Sequence, residues 1–190
     1  TVITPILSSS SDSVFSPIIY VVLTGLMWFV GIHPAVLAAI MSPVWTVNAT
    51  ANMEMAAAGL AATHTGVQPF IFTFLWIGGG GGTLALCLFM CFSKSKSLKS
   101  LGRLALVPSF FNINEPLIFG MPVMLNPIFF IPMVFCNVVM GLIGLAATHI
   151  FTFTYNPAMS LLPWTTPFFV KAFMAGGISL LILSLIHISE

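Results

Sequence analysis

Long uncharged apolar runs, separated by short polar corners, make up most of this chain. Residues 14–32 and 126–154 each carry no charged side chain, and their lengths approach or exceed the roughly 20 residues that a helix needs to cross a bilayer. Residues 66–92 are likewise uncharged, and we predict them to be the clearest membrane-spanning helix despite five consecutive glycines at 78–82. Residues 167–182 begin a last predicted helix.

Two polar corners share one pattern, a short apolar arm followed by a polar tip and a proline. The first is GIHP at 31–34, and the second is NINEP at 112–116. The arms beside the second corner, 104–111 and 117–125, are too short to cross about 30 Å of hydrocarbon. Irregular backbone is tolerated at membrane depth only where protein or a water-filled cavity surrounds it. The pattern therefore predicts two re-entrant hairpins, and paired broken segments are typical of a transporter's binding site.

The remaining segments are predicted from their prolines and polarity. Residues 35–41 read as a half-helix that Pro43 stops, because proline removes a backbone donor. Residues 48–65, rich in Ala and Met and more polar, are predicted to be a membrane-surface helix or a loop. Residues 1–13 are Ser-rich and predict a linker, and 155–166 predict a Pro-rich loop.

Composition supports a lipid environment. The 190 residues are 58% hydrophobic and 5% charged, with a mean hydropathy of +1.11, whereas a soluble domain carries about 25% charged residues. We therefore predict an all-α polytopic membrane protein. A net charge of +1 gives no reason to expect a nucleic-acid partner. Four of the five basic residues fall within 94–103, which places this stretch on the cytoplasmic side.

The chemistry-bearing residues are few. The three cysteines lie in apolar runs and form no metal or redox motif, so we expect inert thiols, no metal and no cofactor. Glu115 is the sole carboxylate of the second corner, and no charged residue follows it until Lys171. An intramembrane carboxylate is costly and is usually functional or paired. Two interpretations stay open: a structural cap of a half-helix, or a hydrogen-bond acceptor and general base for a hydroxyl-rich ligand.

Two further residues are binding candidates. His33 stands at the tip of the first corner and can donate, accept or titrate near neutral pH. Trp164, in the segment LPWTTP, offers an apolar face and an N–H donor. That combination suits a sugar ring, and it also suits a membrane-interface anchor.

The run FFNINEPLIFGMPVMLNPIFFIPM at 110–133 closely resembles the signature of the membrane-embedded IIC component of sugar phosphotransferase systems, in the lactose/cellobiose/diacetylchitobiose group. The corner at 31–33 and the PWTTP segment at 163–167 agree with that family in order and approximate spacing. The resemblance covers about residues 14–182.

This resemblance implies sugar uptake by group translocation across the bacterial inner membrane. A disaccharide or oligosaccharide would cross and be phosphorylated on its 6-hydroxyl by a phosphocysteine of a separate IIB component, supplied in turn by IIA. The protein would thus be the membrane subunit of a protein-phosphocysteine–sugar phosphotransferase. It also implies an elevator-type transport domain with two re-entrant hairpins, contact with membrane lipids, and a homodimer for the full-length parent.

The resemblance also assigns residues. The family's histidine and NEP glutamate, which lie near the reacting hydroxyl, correspond to His33 and Glu115, and its sugar-lining tryptophan corresponds to Trp164. Asn114 is carried over more loosely, as part of the tip. One departure concerns Pro34, where the family usually has glycine. Proline lacks the N–H, so any backbone contact to sugar from that position is lost.

We also expect residues 14–182 to be a C-terminal transport domain whose N-terminal half is absent, inactive alone. The last eight residues, 183–190, read LSLIHISE, which is the translation of a transposase adapter used in sequencing libraries. We therefore predict that they are not native. Alternatives are an ion-coupled secondary sugar transporter, a purely structural membrane subunit and a non-functional truncated fragment.

Overall fold

The computed structural model describes residues 15–60, 64, 67–76, 78–150, 159 and 162–189. Over these ranges the chain is helical and contains no strand. The predicted linker 1–13 and half of the predicted loop 155–166 fall outside the described residues. The helices are α1 (Phe15–Phe29), α2 (Ala35–Ala57), α3 (Gln68–Phe70) continuing into a π-helical turn (Ile71–Leu75), α4 (Thr83–Cys91), α5 (Lys96–Phe110), α6 (Glu115–Gly120), α7 (Pro127–Ile150) and α8 (Phe168–Ser189).

Helix α7 confirms the predicted span within 126–154. Among the described residues, its stretch Pro127–Ala146 is the one that is long and apolar enough to cross a membrane, with a mean hydropathy of 2.4. Helix α1 packs along α7, and the two backbones approach closely at Gly25. A Cβ on Gly25 would lie 2.7 Å from the carbonyl oxygen of Met133, so only glycine permits this contact.

The predicted stop at Pro43 is wrong. Helix α2 continues through Pro43 to Ala57 and so absorbs most of the stretch that was expected to be a surface helix or a loop. Its buried side chains include Met41 and Trp45, and Trp45 packs edge-on against Tyr20 of α1. Tertiary packing along this face outweighs the local cost of the proline, as is common in membrane helices.

The prediction of a spanning helix over 66–92 is also wrong. The chain forms α3 and its π-helical turn, breaks at the glycine run, and resumes as α4. Four of the five glycines, Gly78, Gly79, Gly81 and Gly82, have φ between 63° and 87°. This left-handed backbone is open to glycine at little cost and is incompatible with a continuous right-handed helix.

The basic stretch is helical from Lys96 onward. Ser95 begins α5, and its hydroxyl oxygen accepts the N–H of Leu98 at 3.5 Å. Helix α5 packs against α4, where Gly102 allows close approach to Met90. The arm after the second corner is shorter than expected, because α6 ends at Gly120 and turns follow it.

Candidate functional site

The second corner forms a tip between α5 and α6. The chain reverses at Asn112, whose φ of 62° is a left-handed conformation that asparagine tolerates better than most residues. Glu115 then starts α6, and Pro116 occupies its first turn, where the missing N–H costs no helical bond. The tip is thus a local consequence of the sequence NINEP, and it leaves the Glu115 side chain partly buried, at 29% exposure.

Both asparagines of the tip donate their side-chain amides to backbone carbonyl oxygens of distant segments. The Asn112 amide donates to the carbonyl oxygens of Trp164 at 3.0 Å and Thr166 at 3.1 Å. The Asn114 amide donates to the carbonyl oxygen of Gly80 at 3.1 Å. The two side chains are 3% and 2% exposed, so these bonds are shielded from water. They tie the tip to the PWTTP segment on one side and to the glycine run on the other.

The two predicted corners meet through His33 and Glu115. His33 Nε2 lies 3.3 Å from Glu115 Oε1, although the residues are 82 positions apart. His33 Nδ1 accepts the N–H of Ala35 at 3.1 Å, so the Nε2 position carries the proton that faces the carboxylate. The imidazole also packs edge-on against Trp28, with ring centroids 4.9 Å apart.

These residues line one cavity of about 290 Å³, near the lower end of the roughly 300–1,000 Å³ that is usual for ligand pockets. All four predicted site residues, His33, Asn114, Glu115 and Trp164, contribute to its lining. The remaining lining consists of aromatic side chains, two glycines of the run, one asparagine and the start of α2, namely Trp28, Phe72, Trp76, Gly79, Gly80, Asn112, Pro34, Ala35 and Ala38.

Three lining residues hold a buried polar atom without a hydrogen-bond partner among the described residues. These atoms are Glu115 Oε2, Asn112 Oδ1 and Trp76 Nε1. A buried polar atom left unpaired costs about 1–3 kcal/mol, so such atoms are rare unless they serve a ligand or a water. The set comprises two acceptors and one donor, which matches a neutral molecule rich in hydroxyl groups.

The glycine run forms one wall of the cavity from backbone alone. A Cβ on Gly79 would lie 3.0 Å from Asn114 Cγ, and one on Gly80 would lie 2.7 Å from the Trp28 ring. The N–H of Gly81 donates to Asn137 Oδ1 on α7 at 3.0 Å, which fixes the run to the neighbouring helix. Glycine is required here because the tip and Trp28 approach the backbone closely.

Sequence reasoning missed the three aromatic residues Trp28, Phe72 and Trp76, which lie in apolar runs and resemble ordinary core residues there. It also passed over Lys171, which is 3% exposed and donates through Nζ to the Trp164 carbonyl oxygen at 2.8 Å. A signal was available for Lys171, since a lone charge in an apolar helix is seldom without a use.

Known proteins resemble this chain in sequence. The family model described as Phosphotransferase system, EIIC matches residues 1–137. The galactose-specific EIIC component of Lactococcus lactis subsp. cremoris is 40% identical over 161 residues, which cover 83% of this chain and 35% of that protein. The lactose-specific EIICB component of Staphylococcus aureus is 40% identical over 163 residues, covering 82% of this chain and 27% of the relative.

The fold matches a solved structure as well. The crystal structure of the transporter ChbC, the IIC component of the N,N'-diacetylchitobiose-specific phosphotransferase system, aligns with a TM-score of 0.86 at 33% identity. The alignment covers all of this chain and 44% of ChbC, so the chain spans less than half the length of the relatives that it matches. EIIC components are membrane permeases. By sequence and by fold, the chain belongs to the EIIC family of the phosphotransferase system.

Proposed function

We propose that this chain is the substrate-binding part of a permease that takes up a disaccharide or oligosaccharide and presents its 6-hydroxyl for phosphorylation. The proposal rests on the surroundings of the Glu115 carboxylate. One of its oxygens faces His33, and the other is buried at an aromatic-walled cavity with no partner among the described residues. A substrate hydroxyl supplies the donor that this second oxygen lacks.

The proposed reaction uses this position of Glu115. A phosphocysteine on a IIB partner delivers the phosphoryl group, so the phosphorus–sulfur bond breaks while a bond to the sugar oxygen forms. Glu115 orients the 6-hydroxyl and accepts its proton, and the cysteine leaves as a thiolate. Phosphoryl transfer depends mainly on positioning and charge stabilisation, and a positioned base contributes about 10²–10⁴-fold. His33 donates through Nε2–H and holds the carboxylate in place.

The walls of the cavity favour a sugar. The faces of Trp28, Trp76, Phe72 and Trp164 offer apolar contacts for the C–H faces of a pyranose ring, and Trp76 adds a free N–H donor. The relatives are named for galactose, lactose and N,N'-diacetylchitobiose, all neutral hydroxyl-rich compounds. Two of these three names, lactose and N,N'-diacetylchitobiose, denote disaccharides, so we keep the class at disaccharide or oligosaccharide.

The architecture that we propose is a multi-pass, elevator-type transport domain in the bacterial inner membrane, with two re-entrant hairpins. Support comes from the corners at 31–34 and 112–116, which lie in different parts of the chain and face one cavity. We further propose that residues 14–182 form the C-terminal half of a longer permease that is inactive without its N-terminal half, acts as a homodimer and works with IIB and IIA.

The test uses the full-length permease that contains this segment, supplied with phosphoenolpyruvate, the soluble carriers and labelled cellobiose, lactose or diacetylchitobiose. Glu115→Gln keeps the size of the side chain and removes its charge, and we expect sugar phosphate formation to fall at least about 100-fold. Glu54→Gln, an exposed acid on α2, is the matched control and is expected to leave the rate unchanged.

Equal phosphorylation by Glu115→Gln and the unaltered protein would make Glu115 a structural cap. Accumulation of free sugar without sugar phosphate would overturn group translocation and favour an ion-coupled transporter. If the unaltered full-length protein shows neither uptake nor phosphorylation, it is a non-functional product.

A further inference from the structure

Lys171 is a buried cation that the proposed reaction does not use. It lies in the first turn of α8 and is 3% exposed. Between residues 104 and 189 the chain contains only two charged residues, Glu115 and Lys171. Burying an unpaired ammonium group costs several kcal/mol, roughly, so a lysine in this position needs compensating contacts.

Lys171 contacts two residues of the cavity lining, Trp164 and Phe72. Lys171 Nζ donates to the Trp164 carbonyl oxygen at 2.8 Å and lies 5.1 Å from the centroid of the Phe72 ring. Within the described residues, the structure records no carboxylate at ion-pair distance from it. The compensation is therefore a charge-assisted hydrogen bond on one side and a cation–π contact on the other.

Both contacted residues line the cavity, whereas Lys171 itself does not. The Trp164 carbonyl oxygen also accepts the Asn112 amide, so one oxygen joins α8 to the NEP tip. A carbonyl oxygen has two lone pairs, and these two donors occupy both of them. The backbone at Trp164 is thus fixed from two sides, and the ammonium charge holds the Phe72 ring beside it.

We propose that Lys171 is a positioning residue for ligand recognition, fixing two aromatic walls of the cavity, Trp164 and Phe72, relative to the tip that carries Glu115. This inference rests on the proposed sugar site for the identity of the ligand. Lys171 acts through its neighbours and does not touch the reacting atoms, so its loss weakens sugar binding more than it slows phosphoryl transfer.

The experiment compares Lys171→Met, Lys171→Arg and the control Lys94→Met, an exposed lysine before α5, in the full-length permease. Binding of cellobiose, lactose and diacetylchitobiose is measured by calorimetry without phosphate donor, and KM and kcat are measured with the complete carrier system. For Lys171→Met we expect about a tenfold higher Kd and KM with kcat within about twofold, reflecting one lost charge-assisted contact. Lys171→Arg keeps the charge and is expected to recover most of the affinity, because guanidinium also packs on aromatic faces.

A folded Lys171→Met protein that binds sugar as tightly as the unaltered protein would overturn the inference. If Lys171→Met does not fold, Lys171→Gln takes its place, because glutamine removes the charge and the cation–π contact with Phe72 while keeping an N–H donor. Unchanged sugar affinity in a folded Lys171→Gln protein would also overturn the inference. An unaltered protein that binds none of the sugars contradicts the proposed function instead. The tryptophan spectrum of the ligand-free variants then still tests Lys171, with Lys94→Met as the reference.

Discussion

The two corners that meet at the cavity are held in opposite ways. The two asparagines of the NINEP tip are buried and make three side-chain hydrogen bonds to carbonyl oxygens of distant segments. At the GIHP corner Pro34 is buried, but the His33 side chain is 52% exposed, and its polar contacts are the Glu115 oxygen and the neighbouring N–H of Ala35. The tip is thus anchored by several buried bonds, whereas His33 makes one hydrogen bond to a distant segment.

This difference separates two tasks. A base must keep its position relative to the reacting hydroxyl, because small displacements of a catalytic group reduce the rate strongly. In the proposed reaction the anchored tip holds Glu115 in that way. The His33 ring is exposed and is held by two hydrogen bonds and an edge-on contact with Trp28, so we expect its displacement to cost less than that of the tip. Substitutions at the tip should therefore lower stability and affinity, whereas substitutions at the open GIHP corner should lower phosphorylation with little change in stability.

The largest effect is expected at the tip, from Asn112→Gly. Glycine keeps the left-handed backbone and removes both amide bonds to the Trp164 and Thr166 carbonyl oxygens. We expect the free energy of unfolding to fall by about 2–4 kcal/mol and sugar affinity to fall with it. Thermal unfolding in detergent and calorimetry with sugar measure the two quantities.

The control for Asn112→Gly is Asn126→Gly before α7, whose side chain accepts the N–H of Ile128 and donates to the Pro122 carbonyl oxygen. The number of bonds lost is the same, but these two are exposed, so water replaces them and we expect a loss of no more than about 1 kcal/mol. Similar stability losses for the two variants would mean that the tip is no better anchored than an ordinary helix end.

An intermediate effect is expected at the open corner, from a pair of His33 variants. His33→Asn retains an acceptor for the Ala35 N–H but is too short to reach Glu115, whereas His33→Gln retains the reach. We expect His33→Asn to lower phosphorylation about tenfold, since it removes one bond to a charged group, and His33→Gln to lower it less. Stability should change little in both variants. A substantial loss of stability in His33→Asn would contradict the loose attachment of this corner.

The smallest effect is expected from Pro34→Gly, which adds a backbone N–H at the edge of the cavity. We expect affinities to change by no more than about threefold, by different factors for different sugars. Stability should fall by about 0.4–1 kcal/mol through the unfolded state, with a further loss from the contacts of the buried Pro34 ring. Pro122→Gly, an exposed proline outside the cavity, should show the unfolded-state loss alone. Equal affinity changes in both variants would show that Pro34 has no contact with sugar.

The sequence predicted the elements whose signals are local. The span in α7 and the turn at Asn112–Pro116 follow from apolar length and from proline and asparagine chemistry. Two predictions failed because packing decided them. Pro43 remains inside α2, since a long buried face holds the helix together, and the apolar run at 66–92 breaks because its glycines adopt left-handed backbone against Asn114 and Trp28.

The polar residues of the site could be predicted from the sequence, but its aromatic walls could not. Glu115 and His33 were identifiable because a charge or an imidazole at an apolar corner has few other uses, and the structure brings both to the cavity with Asn114 and Trp164. Their roles in catalysis and binding remain predictions. Trp28 and Trp76 were not identifiable, because nothing in an apolar run distinguishes a cavity wall from a core contact.

The glycine run also limits how the proposed substrate specificity can change in evolution. Its wall exposes main chain, and a methyl group on Gly79 or Gly80 would strike Asn114 or Trp28. Single substitutions there disturb the anchored tip before they can reshape the pocket. At the proposed sugar site, new preferences are more accessible at Ala35, a lining residue with a small and exposed side chain. Adaptation to another carbohydrate would therefore start at the first turns of α2.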